Sequence, residues 1–245
     1  MSKILIGWAE ETLVPEKKVS LSGQFFERIS EYVESEITAT AMAIESDGEQ
    51  AIIVSADLTG IPSFLLDITR EKLAKIVDGF DVSKLIIAAT HTHTSHTLKN
   101  PVTTSVPAMH RDILSEFLPE GKEYKTLVTA DDSVMTGEEA TEFVSERIAL
   151  AAKNAWEGRK KAYYANEFGR AAVGMCRRVS YDDGTSQMWG DVNTANFVAL
   201  EGGNDSGVEL LYTFDENKKL TGVVANIACP SQILEQRSFI SADFW

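Results

Sequence analysis

Ala51-Ile52-Ile53-Val54-Ser55-Ala56-Asp57, a segment of helical period from Pro62 to about Asp78, and Leu85-Ile86-Ile87-Ala88-Ala89-Thr90-His91-Thr92-His93-Thr94-Ser95-His96 together decide how this chain folds. The two apolar runs are compact and rich in β-branched residues, so each reads as a strand. Between them Phe64, Leu65, Ile68, Leu73 and Ile76 recur at helical spacing, opened by Pro62 and stopped by Gly79. Strand, helix of about four turns and strand is what a βαβ crossover needs, which predicts a parallel or mixed sheet. The histidines then fall at a strand's carboxyl end, where open α/β sheets place their ligands.

Outward from this unit, Thr38 to Glu45 reads as another strand and Glu138 to Glu157 as a helix, with Thr136 or Gly137 at its cap and Gly158 at its stop. Pro107 to Leu118 is a candidate second helix within a loop-rich stretch, Asn100 to Asp132, that is a candidate lid. Strands are expected at Ala162 to Asn166, Ala171 to Val179, Phe197 to Leu200, Val208 to Phe214 and Gly222 to Ala228, separated by Asp-Gly, Gly-Gly and Asp-Glu-Asn turns. The expected class is α/β, a mixed parallel/antiparallel sheet core with flanking helices and a second half that is mainly β. With no repeat or linker to divide it, the chain is expected to form one domain over 1–245.

Composition narrows the function. The 245 residues are 44% hydrophobic, enough for a substantial core, and 23 basic against 37 acidic residues leave a formal charge of -14. That charge repels phosphate backbones and anionic bilayers, so nucleic acid is not an expected partner. The first apolar stretch is cut short by Glu10 and Glu11, unlike a secretory leader, and no run is long enough to span a membrane. Cys176 and Cys229 read as reduced thiols, and the expected compartment is cytoplasmic.

Three of the four histidines lie within six residues. On an extended strand His91 and His93 project to one side with origins about 6–7 Å apart, able to share a metal or to divide metal binding and substrate contact. A plainer reading makes them part of a polar strand end that satisfies loop backbone groups. The spacing also resembles the His-x-His-x-Asp-His motif of metallo-β-lactamase-fold hydrolases, but Ser95 stands at the Asp position and only His110 follows.

Read with distant segments, Ala89-Thr90-His91-Thr92-His93-Thr94-Ser95-His96 resembles the Ala-Thr-His-Thr-His-Ser-Gly-Pro type segment of the neutral/alkaline ceramidase family, zinc-dependent amidohydrolases. Gly7-Trp8-Ala9, Ala56-Asp57-Leu58, Gly174-Met175-Cys176-Arg177 and Ile240-Ser241-Ala242-Asp243 resemble further family elements in the family's order. The resemblance implies that His91 binds zinc, that His93 lies beside the substrate and that Arg177 contacts it. It places Cys229 where the family has a second zinc histidine. A thiolate binds zinc well, at about 2.3 Å, but donates more charge and makes the metal a weaker Lewis acid. The family's remaining ligands, a glutamate and a tyrosine, and its serine nucleophile follow the Ile-Ser-x-Asp segment, so the chain looks like the N-terminal part of a catalytic domain.

Asp57 is a candidate carboxylate behind the histidines, or else a turn residue. Arg178 reads as a partner of surface acids, Asp191 as a loop residue, and Met188-Trp189-Gly190 as core or loop packing. Asp243 falls near the site if its segment returns to the same sheet edge. The expected function is zinc-dependent hydrolysis of an amide, in a small-molecule or lipid-like substrate. A non-catalytic metal-binding or interaction module is the alternative, and a metallophosphoesterase a third reading.

Overall fold

A computed structural model describes residues 4–24, 26–99 and 131–245, which form two compact units, 1–162 with 231–245, and 163–230. In the first unit β1 (Ile4–Thr12) and the two-residue β2 (Lys18–Val19) precede β3 (Thr38–Ser46) and β4 (Glu49–Ala56). Then come α1 (Ser63–Ile76), β5 (Leu85–Ala89), β6 (Val134–Met135), α2 (Gly137–Glu157) and β7 (Lys160–Lys161). The main sheet has the order β5-β4-β3-β1-β7, and β4 pairs with β5 in parallel, Ile52 opposite Leu85 through Ala56 opposite Ala89. The crossover read from the sequence is therefore present. The rest of the sheet is antiparallel, so the mixed α/β class holds.

Between β3 and β4 the chain reverses over Asp47-Gly48, both at positive φ (50° and 85°). This is the left-handed pair that a two-residue hairpin demands, because its twist matches that of the strands. The register puts Ala39, Ala41, Ala43, Ile52, Val54 and Leu85 on one face, where each is fully buried. Small side chains let the α2 backbone come close, and Ala149, Ala151, Ala152 and Ala155 answer from the helix. At the tightest point a Cβ on Gly7 would lie 2.1 Å from the Ala155 carbonyl oxygen, so β1 needs glycine there.

The ends of α2 are well specified. Thr136 accepts from the Glu139 N–H while the Glu139 carboxylate accepts from the Thr136 N–H, a reciprocal capping box. Near the other end Trp156 is buried against Phe80, with centroids 4.9 Å apart, and its indole N–H donates to the Asp78 carbonyl at 3.0 Å.

The second unit holds β8 (Tyr163–Arg170), β9 (Arg178–Tyr181), β10 (Ser186–Met188), β11 (Phe197–Leu200), β12 (Gly207–Phe214) and β13 (Leu220–Ile227). They form two antiparallel three-stranded sheets, β13-β12-β8 and β10-β9-β11. The mainly-β second half is as expected, but the strand expected over Ala171 to Val179 begins only at Arg178. Before it the backbone packs at Gly174 against the Ala228 carbonyl and the Asn204 side chain, where a Cβ would lie 2.9 Å from each, instead of entering a ladder. Trp189 is also no core residue: it is exposed and stacks under the Arg177 guanidinium, 4.6 Å from the ring centroid. The expected helix at Pro107 to Leu118, the loop over residues 100–130 and His110 lie outside the described residues.

Ile148 sits on the sheet-facing side of α2 with no exposed surface. Ile148→Ala is expected to lower unfolding stability by about 2–5 kcal/mol, read from the midpoint of a urea titration with unchanged slope.

Candidate functional site

Parallel pairing of β4 and β5 sends both strands out of the sheet at the same edge, and their loops run on together. The Thr90 N–H donates to the Ala56 carbonyl and the His91 N–H to the Leu58 carbonyl, while the Thr59 hydroxyl donates to the Thr92 carbonyl at 2.9 Å. The strand ends at Ala89, so the histidines do not lie on extended backbone. His91 instead has φ +68°, a left-handed conformation that non-glycine residues rarely adopt. The turn does what the strand was expected to do: it brings the two Nε2 atoms to 3.2 Å with the rings edge to face.

The tautomer of His91 follows from its partner. Nδ1 lies 2.5 Å from the Thr59 carbonyl oxygen, which can only accept, so Nδ1 carries the proton and Nε2 keeps its lone pair. A carbonyl behind the far nitrogen is also how metal-binding imidazoles are held. The 3.2 Å separation is close to the roughly 3.3 Å between two nitrogen ligands of one tetrahedral zinc at usual bond lengths. The donors therefore fit zinc in kind. They fall short in number, because catalytic zinc takes three protein ligands and, among the described residues, no group of three or more His, Cys, Asp or Glu could hold a metal.

His93 is almost fully buried and is held from several sides. Arg28 donates to its carbonyl at 2.7 Å, and to the carbonyls of Ser22 and Arg237 at 2.6 and 2.7 Å. Burial lowers the Arg28 guanidinium to about 10, with the nearby Glu235 carboxylate working in the opposite direction. The Gln232 amide nitrogen is 3.0 Å from His93 Nε2, and Glu235 Oε2 is 3.8 Å from His93 Nδ1. Gly23, at φ +98°, lies flat against the ring, where a Cβ would come within 2.3 Å of Cγ.

Asp57 differs from expectation. One oxygen accepts from the Thr38 N–H at 2.8 Å and the other from the Thr90 hydroxyl at 3.0 Å, so it braces the loop rather than a histidine. Burial raises its carboxyl above the ordinary range, and those hydrogen bonds oppose the rise. Among the described residues the carboxylate that faces a histidine is Glu235, which the sequence reading passed over along with Arg28 and Gln232. Their nearest signal was Cys229-Pro230, directly before the segment that carries Gln232 and Glu235.

That segment returns to the first unit. Ser231 N–H donates to the Thr90 carbonyl, Thr92 and Thr94 hydroxyls donate to the Ser241 carbonyl, and Asp243 accepts from the Leu234 N–H at 2.8 Å. His96, beyond the pair, is sealed against Phe143, and burial lowers its imidazole to about 4. In the second unit Arg178 pairs with Glu201, Asp191 accepts from the Asn193 N–H in a turn, and Cys176 and Cys229 are free thiols. Cys229 is half-buried, its thiol against the Pro230 carbonyl.

The mixed sheet with its helices and the mainly-β second unit have a fold also found in solved ceramidase structures. The chain matches the crystal structure of neutral ceramidase from Pseudomonas aeruginosa with a TM-score of 0.67 at 18% identity, over 99% of its own length and 34% of that chain. It matches a ceramidase complexed with C2 with a TM-score of 0.63 at 17% identity, over the same shares of each chain. The likeness is one of fold, and the chain spans about a third of the length of each. No protein-family model and no curated protein matches it by sequence.

Two outcomes are expected from this geometry. Gly23→Ala meets both an unfavourable φ and the His93 ring, and should cost about 1–3 kcal/mol of stability while displacing the His93 ring resonances in NMR spectra. For His96 the folded value lies below the unfolded one of 6.5, so below about pH 6.5 the unfolded chain holds a proton that the folded chain refuses. Stability should therefore fall as pH drops from about 6.5 toward about 4, by up to about 1.4 kcal/mol per pH unit. His96→Gln should remove that part of the slope in urea titrations across the window.

Proposed function

We propose that this chain is the histidine-bearing part of a zinc-dependent hydrolase that cleaves an amide bond. The observation that carries the reading is His91: a strained backbone turn and the Thr59 carbonyl fix its tautomer and leave an unprotonated Nε2 at the sheet edge, facing His93. An imidazole prepared in this way is suited to a metal, and His91 is the residue that would hold it. Zinc, when bound, supplies Lewis-acid activation of the carbonyl or of water.

The chain's own residues do the rest. His93, held at its carbonyl by Arg28, takes up and returns a proton at Nε2, and its burial keeps bulk water from competing for that proton. Asp57 and Thr90 keep the β4 and β5 loops in register, so that Thr59 stays under His91. The sequence resemblance adds a ligand role for Cys229 and substrate contact for Arg177. An amide is the favoured bond because the fold is that of two ceramidases and the motifs come in that family's order. A small-molecule or a lipid-like amide fits this reading. Among the described residues no helix is long and apolar enough to cross a membrane.

The test is metal content by mass spectrometry on chain purified with zinc present, for the wild type, His91→Ala and Cys229→Ala, followed by a screen of short- and long-chain amides. About one zinc per chain, lost in His91→Ala, supports the metal site. Retention of zinc in Cys229→Ala removes Cys229 from the ligand set. A wild type without zinc overturns the reading in favour of an interaction module that keeps the fold.

A further inference from the structure

We infer that Trp189 is a positioning residue that holds the Arg177 guanidinium ready for a carboxylate, so that the amide this chain takes carries a carboxylate group. The inference deepens the hydrolase reading, and rests on it only in calling the ligand a substrate.

The local chain explains how Trp189 comes to stand where it does. Met188, the last residue of β10, pairs with Arg178 of β9, and one step on the Trp189 N–H donates to the Arg177 carbonyl at 2.9 Å. The chain then turns back over the hairpin. Gly190 passes so close that a Cβ would lie 2.4 Å from the Tyr181 hydroxyl oxygen and 2.9 Å from the Val179 Cβ. Tyr181 donates to the Asp191 carbonyl at 3.1 Å and closes the turn. Trp189 takes up the change of direction at φ +59°, in the left-handed region that a bulky side chain rarely enters. Burial does not offset that strain, because the residue is 62% exposed. A strained residue kept without a packing gain points to a task for its side chain.

Arg177 shows what the task is. Its guanidinium lies over the Trp189 ring, 4.6 Å from the centroid, and among the described residues it meets no carboxylate. Its neighbour Arg178 pairs with Glu201, and the chain has 37 acidic residues against 23 basic ones, so an arginine left without an acid here needs a cause. The indole supplies it: the π face attracts the cation and anchors it, while the N–H fork is left without a protein acceptor. A planar fork of donors matches the two oxygens of a carboxylate. The exposed indole beside it offers surface to an apolar or aromatic group. Carboxylate, apolar body and amide together describe an N-acylated amino acid, whereas a neutral amide would leave the fork unused.

The test uses the full chain with EDTA present, so that no metal takes part, in about 0.15 M salt, where the net charge is screened beyond about 8 Å. N-benzoylglycine is titrated into 15N-labelled chain and followed at the Arg177 Nε–H and the backbone N–H signals of the turn, with its neutral carboxamide as control. The wild type should bind the acid saturably at millimolar concentration and the carboxamide about tenfold more weakly or worse. Trp189→Gly relieves the backbone strain, so its urea midpoint should be unchanged or higher while its affinity for the acid falls about tenfold or more. Trp189→Phe keeps a π face and should bind within about threefold of the wild type, whereas Trp189→Leu should bind as weakly as Trp189→Gly. The absence of a saturable shift in the wild type, equal binding of the carboxamide, or wild-type affinity in Trp189→Gly or Trp189→Leu each overturns the proposal. If Trp189→Gly fails to fold, the Phe and Leu variants decide. A chain that proves unable to hold zinc leaves these results standing, and the acid is then the ligand of a non-catalytic module.

Discussion

The parallel alignment of Ile52–Ala56 with Leu85–Ala89 is the constraint on which the candidate site depends. Antiparallel neighbours leave a sheet at opposite ends, whereas parallel ones leave together, so this pair delivers the loops after Ala56 and Ala89 to one edge. Everything at that edge follows. Asp57 bonds to Thr90, Thr59 supports His91, and a short β-type continuation joins Ala56 and Leu58 to residues 90 and 91. The helix α1 that makes the crossover, and the alanine-lined packing of α2 on the sheet, matter to the chemistry because they keep this pair in parallel register.

How much of this could be read in the residues varied with the range of the interaction. The β4, α1, β5 crossover and α2 were legible because apolar period and caps are local properties, and β5 (Leu85–Ala89) forms within the apolar run that was read as a strand. β1 was not recognised, since Gly7, Glu10 and Glu11 weaken its apolar pattern. Yet the glycine is there because the α2 backbone passes within reach, which no local pattern reports. The Asp47-Gly48 hairpin was legible in principle, and the reading overlooked it.

At the site, two histidines two residues apart were visible at once, and the ceramidase-like order of motifs agrees with the fold of the solved structures. Their backbone was misjudged. Alternation along a strand was the natural expectation for His-Thr-His, and nothing in a histidine announces a positive φ. The surroundings of His93 were beyond reach for a different reason: Arg28 and Gln232 are 65 and 139 residues away along the chain, distances at which side-chain chemistry carries no periodic trace. Asp57 illustrates the converse, a residue of the right type at the right strand end whose oxygens are taken by nearer donors.

The first compact unit is interrupted: residues 163–230 fold as a unit of their own before 231–245 return to it. A chain made from its amino terminus onward therefore has the sheet, both described helices, the two histidines and Arg28 before Gln232 and Glu235 exist. The contacts of 231–245 with the histidine segment bridge up to 149 residues, and loop closure of that length is slow compared with the growth of helices and hairpins. The surroundings of the histidine pair thus come from two separate parts of the sequence, the βαβ crossover and residues 231–245. A chain cut before Ser231 would keep both histidines in its sequence but lose Gln232 and Glu235 beside the second ring.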